Sequence, residues 1–179
     1  MVRFLRTASN FFRENRALTA PIDFIDLQAQ RRRLGENLNA AVLKAVSDGK
    51  YILGPQVIEL EKRLSEFAGV KHTVTCANGT DALMIILRAW DIGPGDAVFV
   101  PAFTFAASAE VVALVGASPV FVDVLEDTYN IDPASLEAAI AMVKRDGKLK
   151  PRVVMPVDLF GQPADYKKIE AICTREKLL

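Results

Sequence analysis

The chain has 179 residues, of which 51 % are hydrophobic, and its 22 basic and 22 acidic residues cancel. This length fits one ordinary domain with a sizeable core, and a chain without net charge lacks the basic face that nucleic-acid binding requires. Only two cysteines occur, Cys76 and Cys173, with no His or Cys neighbours at ligand spacing. They indicate neither a disulfide framework nor a zinc site, and they favour a reducing, cytoplasmic compartment. No apolar run approaches the ~20 residues of a membrane span.

Residues 1–20 differ in composition from the rest of the chain. They carry four arginines against one acid: Arg3, Arg6, Arg13, Arg16 and Glu14. The segment has no long apolar stretch, so it is not a secretory signal. It could be a transit peptide or a poorly ordered N-terminal extension, including one that results from a misplaced start. We favour the extension and place the domain itself at residues 21–179.

Two amphipathic helices are predicted before any strand. The first covers residues 28–47 and can end at Gly49, and the second begins at Gly54-Pro55 and stops at Gly69,. Their apolar stripes follow helical spacing: Leu34, Leu38, Val42 and Ala45, then Val57, Leu60, Leu64 and Phe67. The basic run Arg31-Arg32-Arg33 is interpreted as a solvated face of the first helix.

Strand and helix patterns alternate from residue 72 onward. Strands are predicted at "HTVTCA", "AVFVPAF", "PVFVDV" and "RVVMPVDLF". Helices are predicted at "GTDALMIILRAW", "TFAASAEVVALVGA", from Asp132-Pro133 through Val143, and at "ADYKKIEAICTREKLL". Near-continuous apolar strands are typical of parallel sheets covered on both faces. The chain is therefore predicted to adopt a three-layer α/β fold with a mostly parallel sheet flanked by helices.

Polar residues follow several of these strands. Ligands of parallel sheets bind at the carboxyl ends of the strands, so Asn78, Thr104 and Asp158 are predicted to share one rim. Asn78-Gly79-Thr80 opens a helix, where free amides, a close backbone approach at Gly79 and the Thr80 hydroxyl could cradle a phosphate. Helix capping explains the same residues, so both interpretations stay open. The segment is neither a dinucleotide fingerprint nor a P-loop.

Two aromatic residues, Phe103 and Phe105, flank Thr104 at the start of the next helix. We expect one of them to face the rim, where it could stack on a flat ring, and the other to pack beneath it. The alternative is that both belong to the core.

The linked motifs resemble one family over residues 22–179. The motifs "YILGP", "CANGTDAL", "PAFTFAAS", "TYNIDP" and "MPVDLFGQPADY", in this order, are similar to those of the DegT/DnrJ/EryC1/StrS sugar aminotransferases. With the opening "FIDLQAQ", they look most like enzymes that act on UDP-linked 3-oxo-glucuronate derivatives. The resemblance implies the large domain of a type I, aspartate aminotransferase-like fold that binds pyridoxal 5'-phosphate.

The resemblance also implies roles for single residues. Gly79 and Thr80 match the positions that hold the cofactor phosphate, and Phe105 matches the ring that stacks on the pyridine. Asn78 and Asp158 are placed at the same cofactor site, although Asp158 departs from the His or Ser that the family often has there. The family's cofactor-linking lysine and the acid that pairs with the pyridine nitrogen come later in the sequence. This chain is therefore predicted to be an N-terminal portion without catalytic residues of its own.

The implied activity is transfer of an amino group, with glutamate as the usual donor, to a nucleotide-linked keto sugar for polysaccharide synthesis. The implied assembly is a homodimer. Two other interpretations stay open: a non-catalytic protein that holds the cofactor or a nucleotide sugar, and one half of a split enzyme. Three further polar candidates are interpreted as structural or solvated. Lys50 in "SDGK" resembles an S-x-x-K nucleophile motif only by its letters, because it follows a helix end, and His72 is interpreted as structural. The acidic turn of Asp123, Glu126 and Asp127 is interpreted as solvated rather than as a metal site.

Overall fold

A computed structural model describes residues 24–179, and the predicted extension at residues 1–20 lies outside them. The chain divides into two compact units, Met1–Thr73 and Val74–Leu179. The described part of the first unit consists of helices α1 (Leu27–Leu34), α2 (Glu36–Asp48) and α3 (Pro55–Ala68). None of these three helices contains a buried residue, so their apolar stripes are largely exposed.

Glycine and proline set the ends of the helices in the first unit. Gly49 and Gly69 end α2 and α3 in the left-handed conformation, at φ 62° and 66°, and Pro55 occupies the first turn of α3, as predicted. The single helix expected over residues 28–47 is wrong. Gly35, at φ 59° and ψ −146°, interrupts it and separates α1 from α2, because glycine can adopt a backbone conformation outside the helical region.

The second unit alternates helices and strands. In chain order the elements are α4 (Gly79–Ala89), β1 (Asp96–Pro101), α5 (Ala107–Leu114), β2 (Ser118–Val122), α6 (Pro133–Asp146), β3 (Lys150–Val154), a short 3-10 turn (Leu159–Gly161) and α7 (Tyr166–Glu176). The three strands form a parallel sheet in the order β2-β1-β3. Phe99 of the central strand lies opposite Val120 on one side and Val154 on the other.

Side chains of β1 alternate between two core layers. Ala97 and Phe99 belong to a cluster built with residues of α6 and α7, whereas Val98 and Val100 belong to a second cluster built with residues of α4 and α5. All four are fully buried. Helices therefore cover both faces of the sheet, and the predicted three-layer α/β fold is confirmed.

The predicted strand at residues 72–77 is wrong. This segment belongs to no strand, and Val74 is 85 % exposed. An alternating pattern becomes a strand only where a neighbouring strand supplies the hydrogen-bonded ladder, and the paired strands of the described chain are β2, β1 and β3. The segment instead leads directly into α4.

The last predicted strand and helix are shorter than expected. β3 ends at Val154, just before Pro156, a residue that cannot donate a ladder hydrogen bond,. Helix α7 ends at Glu176, and Lys177 adopts a left-handed conformation at φ 56°. The chain then turns back to β3, where the Leu179 amide donates to Arg152 and the Leu179 carbonyl accepts from Val154, both at 2.9 Å.

An ion pair joins β3 to Asp96, the first residue of β1. The Arg152 guanidinium donates to both carboxylate oxygens of Asp96 at 3.3 Å and to the Trp90 carbonyl at 3.3 Å. Asp96 is buried and also accepts from the Gly93 amide at 3.1 Å. The buried carboxylate is therefore paired, as burial of a charge requires.

Candidate functional site

The N-terminus of α4 leaves backbone donors free for a ligand. Asn78 caps the helix: its side-chain oxygen accepts from the Asp81 amide at 2.9 Å, and its side-chain nitrogen donates to the Asp81 carboxylate at 3.0 Å. The cap therefore accepts a hydrogen bond from the amide of the third helical residue, Asp81. The first two amides, of Gly79 and Thr80, precede the residues that have intrahelical acceptors. Capping and anion binding are thus compatible at this helix start.

These two residues line a cavity of about 540 Å³ at the carboxyl ends of β1 and β3. The cavity lies between the start of α4, the segment after β1 and the segment after β3, in the position expected for a ligand of a parallel sheet. The residues that line it are Gly79, Thr80, Leu83, Thr104, Phe105, Ala107, Ser108, Met155, Pro156, Val157 and Leu159. Its size is within the range of small-molecule sites.

Phe105 lines this cavity and is 77 % exposed, so its ring is open to stacking by a ligand. The expectation that the other aromatic packs beneath the rim is wrong. Phe103 is 50 % exposed and instead contacts Tyr129 and Phe160, with ring centroids 5.6 and 6.5 Å away. Phe105 therefore lines the cavity, whereas Phe103 packs against two other aromatic rings and is not part of the cavity lining.

A hydroxyl pair stands on the wall of the cavity. Thr104 and Ser108 share a hydrogen bond of 2.9 Å between their side-chain oxygens, and Ser108 is buried. Sequence reasoning placed Thr104 on the rim but overlooked Ser108. No spacing rule reveals this pair, because Thr104 lies before Ala107, the first residue of α5.

Asp158 does not belong to the cavity lining. Its carboxylate accepts hydrogen bonds from the Ala164 amide at 2.9 Å and from the Tyr166 hydroxyl at 3.0 Å. Burial raises the pKa of Tyr166, and the hydrogen bond to Asp158 raises it further. The observed contacts of Asp158 fasten the loop after β3 to the start of α7, whereas its predicted contact with a cofactor, like that of Asn78, stays a prediction.

The donor set fits a phosphorylated aromatic cofactor such as pyridoxal 5'-phosphate. A Cβ built on Gly79 would meet no atom within 4 Å, so space is open beside its backbone. Two helix N-terminal amides, the Thr80 hydroxyl and the partial positive charge of the helix suit a phosphate, and the Phe105 ring suits a flat heterocycle. Among residues 24–179, neither a lysine nor a carboxylate lines the cavity.

The other candidates show no second site of this kind. Within residues 24–179, no group of three His, Cys, Asp or Glu side chains could hold a metal ion. Asp123, from the acidic turn, accepts a hydrogen bond from the Val124 amide at 2.8 Å. None of the helices among the described residues is long and apolar enough to cross a bilayer.

Comparison with known protein families shows which family the chain belongs to. The model of the DegT/DnrJ/EryC1/StrS aminotransferase family matches residues 32–179. The chain belongs to this family. Among its relatives, the Pseudomonas aeruginosa UDP-2-acetamido-2-deoxy-3-oxo-D-glucuronate aminotransferase is 47 % identical over 154 residues, which are 86 % of this chain and 41 % of that protein. An Acidithiobacillus ferrooxidans UDP-N-acetyl-3-dehydro-alpha-D-glucosamine 3-aminotransferase is 43 % identical over 88 % of this chain and 41 % of its own length.

Solved structures of the family agree with the fold. A DegT/DnrJ/EryC1/StrS aminotransferase from Brucella abortus superposes with a TM-score of 0.86 at 59 % identity, over 88 % of this chain and 42 % of that one. The pyridoxal phosphate form of the sugar aminotransferase Spr1654 from Streptococcus pneumoniae gives 0.72 at 37 % identity, over 81 % and 36 %. The resemblance seen in the sequence motifs is therefore confirmed, including its similarity to the UDP-linked 3-oxo-glucuronate subgroup. The chain spans about two fifths of the length of these relatives.

Proposed function

We propose that the second unit forms the cofactor-binding part of a pyridoxal phosphate-dependent aminotransferase that acts on nucleotide-linked keto sugars. The observation that carries this proposal is the cavity in which Gly79, Thr80 and the exposed ring of Phe105 stand together. The printed activities of the two relatives, both aminotransferases of UDP-linked oxo sugars, support the substrate class.

Each cavity residue has a defined task under this proposal. The amides of Gly79 and Thr80 and the Thr80 hydroxyl hold the phosphate, and Phe105 fixes the plane of the pyridine ring. Met155, Pro156 and Val157 form an apolar wall that excludes water, which strengthens the polar contacts inside the cavity. The Thr104–Ser108 pair keeps one hydroxyl proton for a polar group of the ligand, because a pair of hydroxyls shares a single hydrogen bond. When bound, the cofactor supplies an electron sink for the bond broken in the amino donor.

The wider assignment follows from the same relationship. We place residues 21–179 as the N-terminal portion of the cofactor-binding domain, with glutamate as amino donor, a homodimeric assembly and a cytoplasmic location. Since no lysine lines the cavity within the described residues, this chain by itself is expected to bind the cofactor without turnover. That expectation also keeps the two alternatives open, a cofactor-binding protein without chemistry and one half of a split enzyme.

Replacement of one hydroxyl tests the phosphate site. Thr80→Val removes a hydrogen bond to a charged group, which contributes about 1.5–3 kcal/mol, so affinity for pyridoxamine 5'-phosphate should fall by about ten- to a hundredfold. This ligand lacks the aldehyde of pyridoxal phosphate and does not react with surface lysines, so calorimetric titration reports the site alone. Thr174→Val, on the exposed part of α7, is the matched control and should leave affinity unchanged. Equal affinity of both variants would show that the Thr80 hydroxyl takes no part in holding the phosphate.

A further inference from the structure

Three aromatic rings from three separate loops meet beside the cavity. Phe103 follows β1, Tyr129 follows β2 and Phe160 follows β3, and we call them the aromatic cluster. Their ring centroids are 5.6 Å apart for Phe103–Tyr129, 5.9 Å for Tyr129–Phe160 and 6.5 Å for Phe103–Phe160. All three are nevertheless well exposed, at 50 %, 46 % and 79 % respectively. Rings that contact one another while facing solvent form a surface that a ligand can cover.

The backbone holds this cluster in place. Tyr129 and Phe160 both have positive φ angles, 60° and 58°, a conformation that bulky residues rarely adopt and that persists where surrounding contacts enforce it. Asn130, only 3 % exposed, supplies such contacts. Its side-chain nitrogen donates to the carbonyls of Gln162 and Pro163 at 3.0 and 3.1 Å. The loop that carries Tyr129 is thus tied to the loop that carries Phe160.

The aromatic cluster borders the proposed cofactor cavity. Phe103 directly precedes Thr104, and Phe160 directly follows Leu159, and both of these neighbours line the cavity. A substrate whose reacting carbon enters the cavity must keep the rest of its ring within a few ångströms, at the mouth. For a keto sugar, the part in that position is the pyranose ring itself, whereas the nucleotide is separated from it by a diphosphate.

The chemistry around the cluster also suits a ring with C–H groups and hydroxyls. Aromatic faces carry partial negative charge, which attracts the polarised C–H groups of a pyranose. The loop that presents Tyr129 also carries the exposed carboxylates of Glu126 and Asp127. Carboxylates accept hydrogen bonds from sugar hydroxyls, but they repel a phosphate.

We propose that the aromatic cluster is the sugar-binding platform, with the C–H face of the substrate's pyranose ring packed on Phe160 and its neighbours. This inference rests on the proposed function, because it assigns the sugar to the mouth of the cofactor cavity. Asn130 is a positioning residue in this platform, since it acts on the rings only through the loops that it joins.

Saturation-transfer NMR on the 179-residue chain, with UDP-N-acetylglucosamine as the probe, tests the platform. Saturation should reach the pyranose protons more strongly than the uracil protons. Phe160→Ala should reduce the pyranose signal at least threefold, and Phe160→Leu, which keeps apolar bulk but removes the ring, should reduce it similarly. Phe121→Ala is the matched control, because Phe121 is an exposed phenylalanine of β2 outside the cluster. It should leave the signal unchanged.

Two results of this experiment would overturn the inference. Stronger saturation of uracil than of the pyranose would show that the base, not the sugar, packs on the rings and would overturn the inference. Equal pyranose signals in wild type and Phe160→Ala would overturn it as well. Pyridoxamine 5'-phosphate affinity, measured on the same samples, separates the two levels. If the wild-type chain binds pyridoxamine 5'-phosphate but shows no pyranose saturation, only the sugar-binding platform is contradicted. If the wild-type chain shows neither, the proposed function is contradicted as well.

Discussion

Phe105 is an exposed aromatic residue that lines the cavity. Because Phe105 is 77 % exposed, it gains little free energy from burial. A ligand that covers its ring in the cavity explains its position better. We therefore expect Phe105→Ala to lower affinity for pyridoxamine 5'-phosphate by about three- to tenfold, since an aromatic pair contributes about 0.5–1.5 kcal/mol.

The control for Phe105→Ala is Phe105→Tyr, which keeps the ring and should bind with nearly wild-type affinity in the same calorimetric titration. Thermal unfolding of both variants should match the wild type, because the side chain is exposed. An alanine variant that binds as tightly as the wild type would show that Phe105 takes no part in holding the cofactor.

Single residues also show how far the sequence predicts the site. The place of Gly79 and Thr80 at a helix start was predictable, because a polar residue before a helix pattern marks such a start; their contact with a phosphate stays a prediction. Phe105 was predictable as one of two candidates. Ser108 was not, since its link to Thr104 depends on where α5 begins. The partners of Phe103 could not be predicted either, because Tyr129 and Phe160 come from loops that only the folded sheet brings together.

At the scale of elements, α6 and α7 are joined by ion pairs that the sequence pattern does not reveal. Lys144 of α6 pairs with Glu176 of α7, and Arg175 binds Glu137 at 2.6 Å and Glu176 at 3.1 Å. The hydrogen bond from Lys144, followed by that from Arg175, lowers the pKa of Glu176 below its ordinary value of 4.5. The ionised form is thus the one that stabilises the fold.

A pH series tests this link between the helices. A carboxylate whose folded pKa is lowered adds stability above its unfolded pKa and loses it as pH falls through the folded value. Glu176→Gln should therefore unfold more easily than the wild type in urea at pH 7, and the difference should shrink below pH 4.5. Glu170→Gln, in the same helix, is the control and should show a smaller effect. A difference that stays constant down to pH 2 would contradict the ionic origin.

Elements were predicted best where local chemistry decides them. Gly49 and Gly69 ended helices as expected, because a left-handed residue at the helix end is a local signal. The strand predicted at residues 72–77 failed because pairing is not local. Likewise, the Arg152–Asp96 ion pair joins residues 56 positions apart, and no spacing rule in the sequence points to it.

At the scale of the whole 179-residue chain, we expect cofactor binding without turnover. We expect the 179-residue chain to show no amino transfer from glutamate to a nucleotide-linked 3-oxo sugar, since no lysine stands in the cavity of the described chain to form the cofactor linkage and move the proton,. Borohydride reduction in the presence of pyridoxal phosphate, followed by peptide mapping, should give scattered, substoichiometric labelling of lysines.

Two results would change this assignment. Stoichiometric labelling of one lysine together with turnover would contradict the prediction and identify a nucleophile in this chain. Turnover that appears only after a second polypeptide from the same source is added would favour the split enzyme over the non-catalytic protein. Inactivity under both conditions, with cofactor affinity retained, is the outcome expected of a binding protein.

Amide NMR of the ¹⁵N-labelled chain tests the proposal that the start of α4 holds the cofactor phosphate. On titration with pyridoxamine 5'-phosphate, we expect the largest shifts at the amides of Gly79 and Thr80, because these amides would donate to the phosphate. Titration with pyridoxamine, which lacks the phosphate, should leave these two amides nearly unshifted. Equal shifts with both ligands, or large shifts confined to other parts of the chain, would contradict the claim.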